Sequence, residues 1–202
     1  MIRSFRPCVA AAVGVLVLSS PLFAQAGKAA AASTPKAQAP ILLTSCGQSP
    51  GATSVKVFLQ RLQFEYDLRE AATVKDLAAK PYKTLIVVTG SSLKGMGAAG
   101  VSIDEEIARV TALIAEAKKK GITVIGAHVE GMERRAKSAA PGDNSDEMSI
   151  DAVCPKARFL IVRRDGDQDG RFTTLGKRYN LPVVFYEKNL ELGAVLKGVF
   201  GQ

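Results

Sequence analysis

Thr84 to Thr89, TLIVVT, is an uninterrupted apolar and β-branched run, and the eleven residues after it, GSSLKGMGAAG, hold four glycines, two serines and a lysine within Thr84–Gly100. A strand with no polar alternation is covered on both faces, which is the situation of a parallel strand between two helical layers. Parallel neighbours require crossover connections, so helices must alternate with strands along the chain. Ser102-Ile103-Asp104-Glu105 supplies the next helix with a capping box, and Ile103, Ile107, Val110, Ile114 and Ala117 give it one apolar stripe. Lys118, Lys119 and Lys120 suit its negative end, and Gly121 its left-handed stop.

The rest of the chain keeps this rhythm. Ile41–Ser45 is a short apolar run, and Ser49-Pro50 predicts a helix whose Val55, Phe58, Leu59 and Leu62 share a stripe. Phe64–Leu68 alternates as a half-exposed edge strand does, and Ala71–Lys83 is a weakly patterned connection. Ile122–Ala127, Phe159–Val162 and Val183–Tyr186 predict three further strands. Helices are expected from Asn144 to before Pro155, over Phe172–Tyr179 and over Leu190–Phe200. Met132–Ser145 is polar, contains Pro141-Gly142, and is expected to be a long loop able to act as a lid. The fold class expected is α/β, three-layered, with a mainly parallel, doubly wound sheet of about six strands, Rossmann-like or flavodoxin-like. Ligands of such sheets bind outside the carboxyl ends of the strands, so Cys46–Ser49, Ser91–Gly97, His128–Glu130 and Asp165–Asp169 should share one rim.

Arg3 and Arg6 before the apolar run Val9–Leu18, with Ala24-Gln25-Ala26 following, have the pattern of a secretory signal peptide over residues 1–26. Residues 27–40, rich in Ala, Pro, Lys and Ser, are expected to be a disordered tether, leaving 41–202 as a single domain in a periplasmic or secreted protein. The net charge of +8 falls to +6 once Arg3 and Arg6 are removed and to +4 without Lys28 and Lys36. With no Trp, 6% aromatic residues and no basic stripe, neither nucleic-acid binding nor, after processing, a membrane association is indicated. Cys46 and Cys154 remain after cleavage, either as one disulfide or as a buried thiol and a site thiol.

Gly95-Met96-Gly97-Ala98-Ala99-Gly100 fits the letters of a dinucleotide fingerprint, but the helix cap at Ser102 follows the third glycine and Asp104, Glu105 and Glu106 would face the pyrophosphate. Gly90–Gly95 has the first spacing of a phosphate loop, but Met96-Gly97 replaces its lysine and hydroxyl. No cofactor is therefore expected. The composition of the loop suits a small carboxylate or phosphate held by Gln48, Ser49, Ser91, Ser92, Lys94, Gly95 and Gly97, with Arg134 or Arg135 closing over it; glycines that merely permit tight packing are the competing reading. Cys46 before a helix start, with His128 as base and Glu130 to orient it, would make a thiol-dependent hydrolase or transferase; an inert buried cysteine competes with that. Asp165, Asp167 and Asp169 ahead of Gly170 reproduce the opening of a calcium loop, but position twelve is Gly176, where a glutamate ligand should stand, and a solvated turn is the preferred reading.

The blocks Ile41–Ser49 and Lys94–Gly100, with His128, Arg134-Arg135 and Ser145-Asp146, resemble a bacterial family of signal-peptide-bearing proteins classed as a domain of unknown function. The resemblance spans Pro40 to Phe200 and implies an exported α/β protein with no catalytic assignment.

Overall fold

The computed structural model describes residues 1–2, 34–138 and 140–201. The expected signal peptide and most of the tether lie outside the described residues. The chain divides into units Met1–Ala32 and Ser33–Gln202, and the second holds every element below. Six strands, β1 (Ile41–Cys46), β2 (Tyr66–Leu68), β3 (Thr84–Thr89), β4 (Thr123–His128), β5 (Phe159–Arg163) and β6 (Val183–Tyr186), pair only in parallel in the order β2-β1-β3-β4-β5-β6. This is the doubly wound α/β arrangement that the alternation demanded, with the order reversing between β1 and β3.

Seven helices link the strands: α1 (Gly51–Arg61), α2 (Val74–Ala78), α3 (Leu93–Ala99), α4 (Ile103–Lys119), α5 (Ser145–Val153), α6 (Arg171–Tyr179) and α7 (Glu191–Phe200). Strand periodicity assigns each helix to a face. Ile41 and Leu43 of β1, Ile86 and Val88 of β3, and Phe159 and Ile161 of β5 pack with Val55 and Leu59 of α1 and Leu192 and Leu196 of α7. The alternate residues, Leu42, Leu85 and Val87, meet Leu77 of α2, Val110, Leu113 and Ile114 of α4, and Val153 of α5, while Leu160 and Val162 meet Phe172 and Leu175 of α6. Both faces of the central strands are thereby dry.

Local chemistry fixes the ends. The Ser102–Glu105 capping box is formed, and Thr73 and Asp76 make a second one on α2. The edge strand β2 is only three residues long, shorter than its alternating sequence suggests. Ser49-Pro50 differs from expectation: Pro50 occupies the cap of α1, no side chain caps it, and the Ser49 hydroxyl is buried without a partner. The glycine segment also differs, because Leu93–Ala99 is helical. Ser92 caps it through Gly95 N–H (3.0 Å), and Gly95 is required because a Cβ there would lie 2.3 Å from the Gln48 carbonyl. The expected lid is tied down by two 3-10 turns, Gly131–Arg134 and Ala136–Ser138, and by a buried Arg135. Part of the stretch read as tether is bonded to the domain: Ala37 N–H donates to Val199 O (3.1 Å), and Gln38 O accepts from Thr84 Oγ1 (2.7 Å). No helix among the described residues is long and apolar enough to cross a membrane.

Candidate functional site

Parallel pairing brings the four predicted loops to one rim. β1 and β3 end together, since Cys46 is in register with Thr89, and their loops are stitched by a Gln48–Ser91 bridge and by Ser92 N–H donating to Gly47 O (2.8 Å). The crevice at the reversal of strand order is thus filled by the chain's own backbone. Gly47, at φ +106°, makes this possible, because a Cβ would lie 2.8 Å from Gly90 O.

Two of the side chains expected to hold an anion, Gln48 and Ser91, are spent on internal carboxylates. Buried Glu106 accepts from Gly47 N–H and from Gln48 Nε2 (both 2.9 Å) and is forked to Arg109, which also donates to Ser45 O and Ala72 O. Asp146 accepts from Ser91 N–H (2.6 Å) and Ser91 Oγ (3.2 Å), and burial pushes its carboxyl up while those bonds pull it down. Ser149 Oγ bridges Gly90 N–H and Cys46 O. Glu130 accepts from Gly51 N–H at the start of α1 (3.1 Å) and from Arg134 Nε (3.1 Å). Arg135 is no clamp: it is 3% exposed, donates to Glu147 (2.6 Å), Asp169 (2.8 Å) and the Gly166 carbonyl, and stands over Phe172. Lys94 is exposed on α3 and Gly97 faces open space. Nothing local in the sequence marks the two acids that occupy the Gly47 and Ser91 amides, because Glu106 sits on a helix otherwise read as dipole compensation and Asp146 comes from the far side of the supposed lid.

Cys46 and His128 do not form a pair. They sit on β1 and β4 with β3 between, a separation of roughly 9–10 Å across two strand spacings. Thr89 stands in the gap, its hydroxyl 3.1 Å from His128 Nδ1. His128 Nε2 lies 2.9 Å from the Gly131 carbonyl, which must be accepting, so the neutral imidazole carries its proton on Nε2 and takes the Thr89 hydroxyl at Nδ1. The ring is 1% exposed, stacks on Phe172 at 4.8 Å, and is pushed down to about 4, chiefly by burial against the pull of the Gly131 carbonyl. The Cys46 thiol is pushed up to about 11, first by burial and also by Glu106, so it stays protonated at neutral pH. Cys154 is likewise buried and raised by burial, and both cysteines are free, not joined.

The aspartates after β5 are equally committed. Asp165 forks to Arg163 (2.7 and 2.9 Å), Asp167 caps α6 through Phe172 N–H and Thr173 N–H, and Asp169 holds Arg135. The three carboxylates of the calcium reading are thus engaged in a cap and two ion pairs, and no group of three or more His, Cys, Asp or Glu placed to hold a metal ion is found among the described residues.

A further opening at the rim lies on the α1/α7 face. Arg163 and Tyr186 are in register, so their side chains share that face, as Phe159 and Ile161 of the same strand do. A recess of ≈ 160 Å3 opens there, with Phe58, Val129 and Leu192 as its apolar wall and Arg163, Tyr186 and Asn189 as its polar end. Tyr186 is 4% exposed, and its hydroxyl is buried with no hydrogen-bond partner; burial pushes the phenol up, so it remains an O–H donor. Arg163 Nη1 donates to Asn189 Oδ1 (2.9 Å), which turns the amide NH2 of Asn189 away from the guanidinium. Glu130 and the exposed Glu133 complete the lining. Larger recesses, of ≈ 720 and ≈ 400 Å3, lie at the opposite edge, where the strands begin.

A six-stranded, wholly parallel sheet with helices on both faces defines a doubly wound α/β protein. Within that class, the chain belongs to the family described as Domain of unknown function (DUF6305), whose model matches residues 38–200. No curated protein matches the sequence. Among solved structures, it is similar to the esterase EstA from Pseudoalteromonas sp. at 8% identity and a TM-score of 0.33, over 78% of this chain and 92% of that one. It is similar to TesA at 11% and 0.34, over 78% and 94%, and to AlinE4, an SGNH-hydrolase family esterase, at 14% and 0.29, over 71% and 73%. Likeness at these scores does not bear on activity, and the architecture rests on the strand order itself.

Proposed function

We propose that this is an exported binding protein or sensor that takes a small carboxylate-bearing ligand in the rim recess. The observation that carries the reading is the buried, unpartnered Tyr186 hydroxyl on the recess wall beside Arg163. A buried donor without an acceptor costs about 1–3 kcal/mol, and a ligand carboxylate would relieve that cost while accepting from Asn189 and from the remaining Arg163 N–H. Thiol chemistry finds no support beside it, since Cys46 is buried and protonated and His128 has both nitrogens engaged within the fold. Export rests on the Arg3, Arg6 and Val9–Leu18 pattern.

The test is a thermal-shift series with acetate and propionate at constant ionic strength. Wild type should rise in melting temperature, Tyr186→Phe should not, and Lys94→Ala should behave as wild type. A series without any shift, or one abolished by Lys94→Ala, would sink this reading.

A further inference from the structure

The charges around the recess do not suit a plain anion. Of the five Arg163 N–H donors, four are placed: two on Asp165, one on the Glu130 carbonyl and one on Asn189 Oδ1. Asp165 therefore neutralises the one cation on the recess wall. Glu130 is offset by Arg134 (3.1 Å) and by the Gly51 amide. Glu133 makes no direct ion pair among the described residues and acts on Arg163 only at longer range, so its carboxylate is the least compensated charge of the lining.

The recess lining thus carries two chemically different kinds of group. Tyr186 O–H, the Asn189 NH2 and the last Arg163 N–H are hydrogen-bond donors suited to an acceptor. Glu130 and Glu133 supply carboxylate suited to a cation. Phe58, Val129 and Leu192 add a short apolar wall.

We infer that the ligand is a small zwitterion, a short-chain amino acid whose carboxylate meets Tyr186, Asn189 and Arg163 while its ammonium meets Glu133 and Glu130. The inference rests on the carboxylate reading above and sharpens it: the same molecule that gives the donors an acceptor also brings a cation to the carboxylates of the lining. A carboxylate alone would be attracted by the donors and repelled by Glu133, whereas an amine alone would leave the Tyr186 hydroxyl without an acceptor.

Isothermal titration of the processed protein with four probes separates the possibilities: glycine, β-alanine, propionate and ethylamine at fixed ionic strength. Glycine or β-alanine should bind at least tenfold more tightly than propionate or ethylamine. Glu133→Gln should weaken the amino acid at least fivefold and leave propionate unchanged or tighter. Tyr186→Phe should weaken both, and because its hydroxyl is unpartnered, the variant should fold as well as wild type by circular dichroism. Propionate binding as tightly as the amino acids would overturn the zwitterion while sparing the carboxylate reading; ethylamine binding as tightly as the amino acids would overturn both. Absence of binding by all four probes also overturns both.

Discussion

His128 gives a stability signature that can be worked out before any ligand is known. Its folded-state value is about 4 against 6.5 unfolded, so in acid the unfolded chain takes the proton first. The stabilisation is complete above pH 6.5 and is lost as pH falls from there through 4. Evaluated at pH 7.5 and 5, linkage gives a loss of about 2 kcal/mol, rising to about 3 at pH 4. The groups facing the ring are Arg135, which lowers it, and Glu147 and Asp165, which raise it less than burial depresses it. Asp146 acts in the opposite direction, because its raised carboxyl favours the fold in acid, but it is present in both proteins compared. Urea unfolding of wild type and His128→Gln at half-unit steps from pH 7.5 to 5 isolates the histidine. The wild-type free energy should fall by about 2 kcal/mol more than that of the variant over this range. Parallel profiles would refute the neutral, doubly bonded imidazole and reopen a role for it as a base.

Native Cys46 and Cys154 should resist iodoacetamide at pH 7.5 and react only in denaturant, as followed by mass spectrometry; rapid labelling of Cys46 in the folded protein would restore the thiol alternative. Glu106→Ala leaves Arg109 and two loop donors without their shared carboxylate, and should cost about 3–5 kcal/mol in urea unfolding. Asp167→Ala should cost about 1 kcal/mol through loss of the α6 cap, and millimolar calcium should leave the melting temperature of wild type unchanged.

The fold was legible because its signals are local and repeated. The Thr84–Thr89 run, the Ser102 capping box and the Gly121 stop each name an element by themselves, and alternation then implies the parallel sheet and the shared rim. The site was less legible, because what decides whether a loop donor is free lies far away in sequence. Ser91 and Gln48 look available until Asp146 and Glu106, 55 and 58 residues away, are folded onto them. Arg135 looks like a mobile clamp until Asp169 arrives from 34 residues on. The glycines of Leu93–Ala99 read as a loop because their helical propensity is poor; a serine cap and the close approach of the Gln48 carbonyl overrule it. Tyr186 carried no signal at all, being indistinguishable from a core aromatic at the end of a buried strand.

The central claim, that the open chemistry of this protein is the recess at the ends of β4, β5 and β6, is tested most directly by locating a bound ligand. In a β-alanine titration followed by amide chemical shifts, Ser54, Val129, Glu133 and Asn189 should move together with one saturating curve, and Tyr186→Phe should flatten it. Shifts confined to the glycine segment around Ser92 and Lys94, or to Gly121 and Arg158 at the opposite edge, would contradict the account.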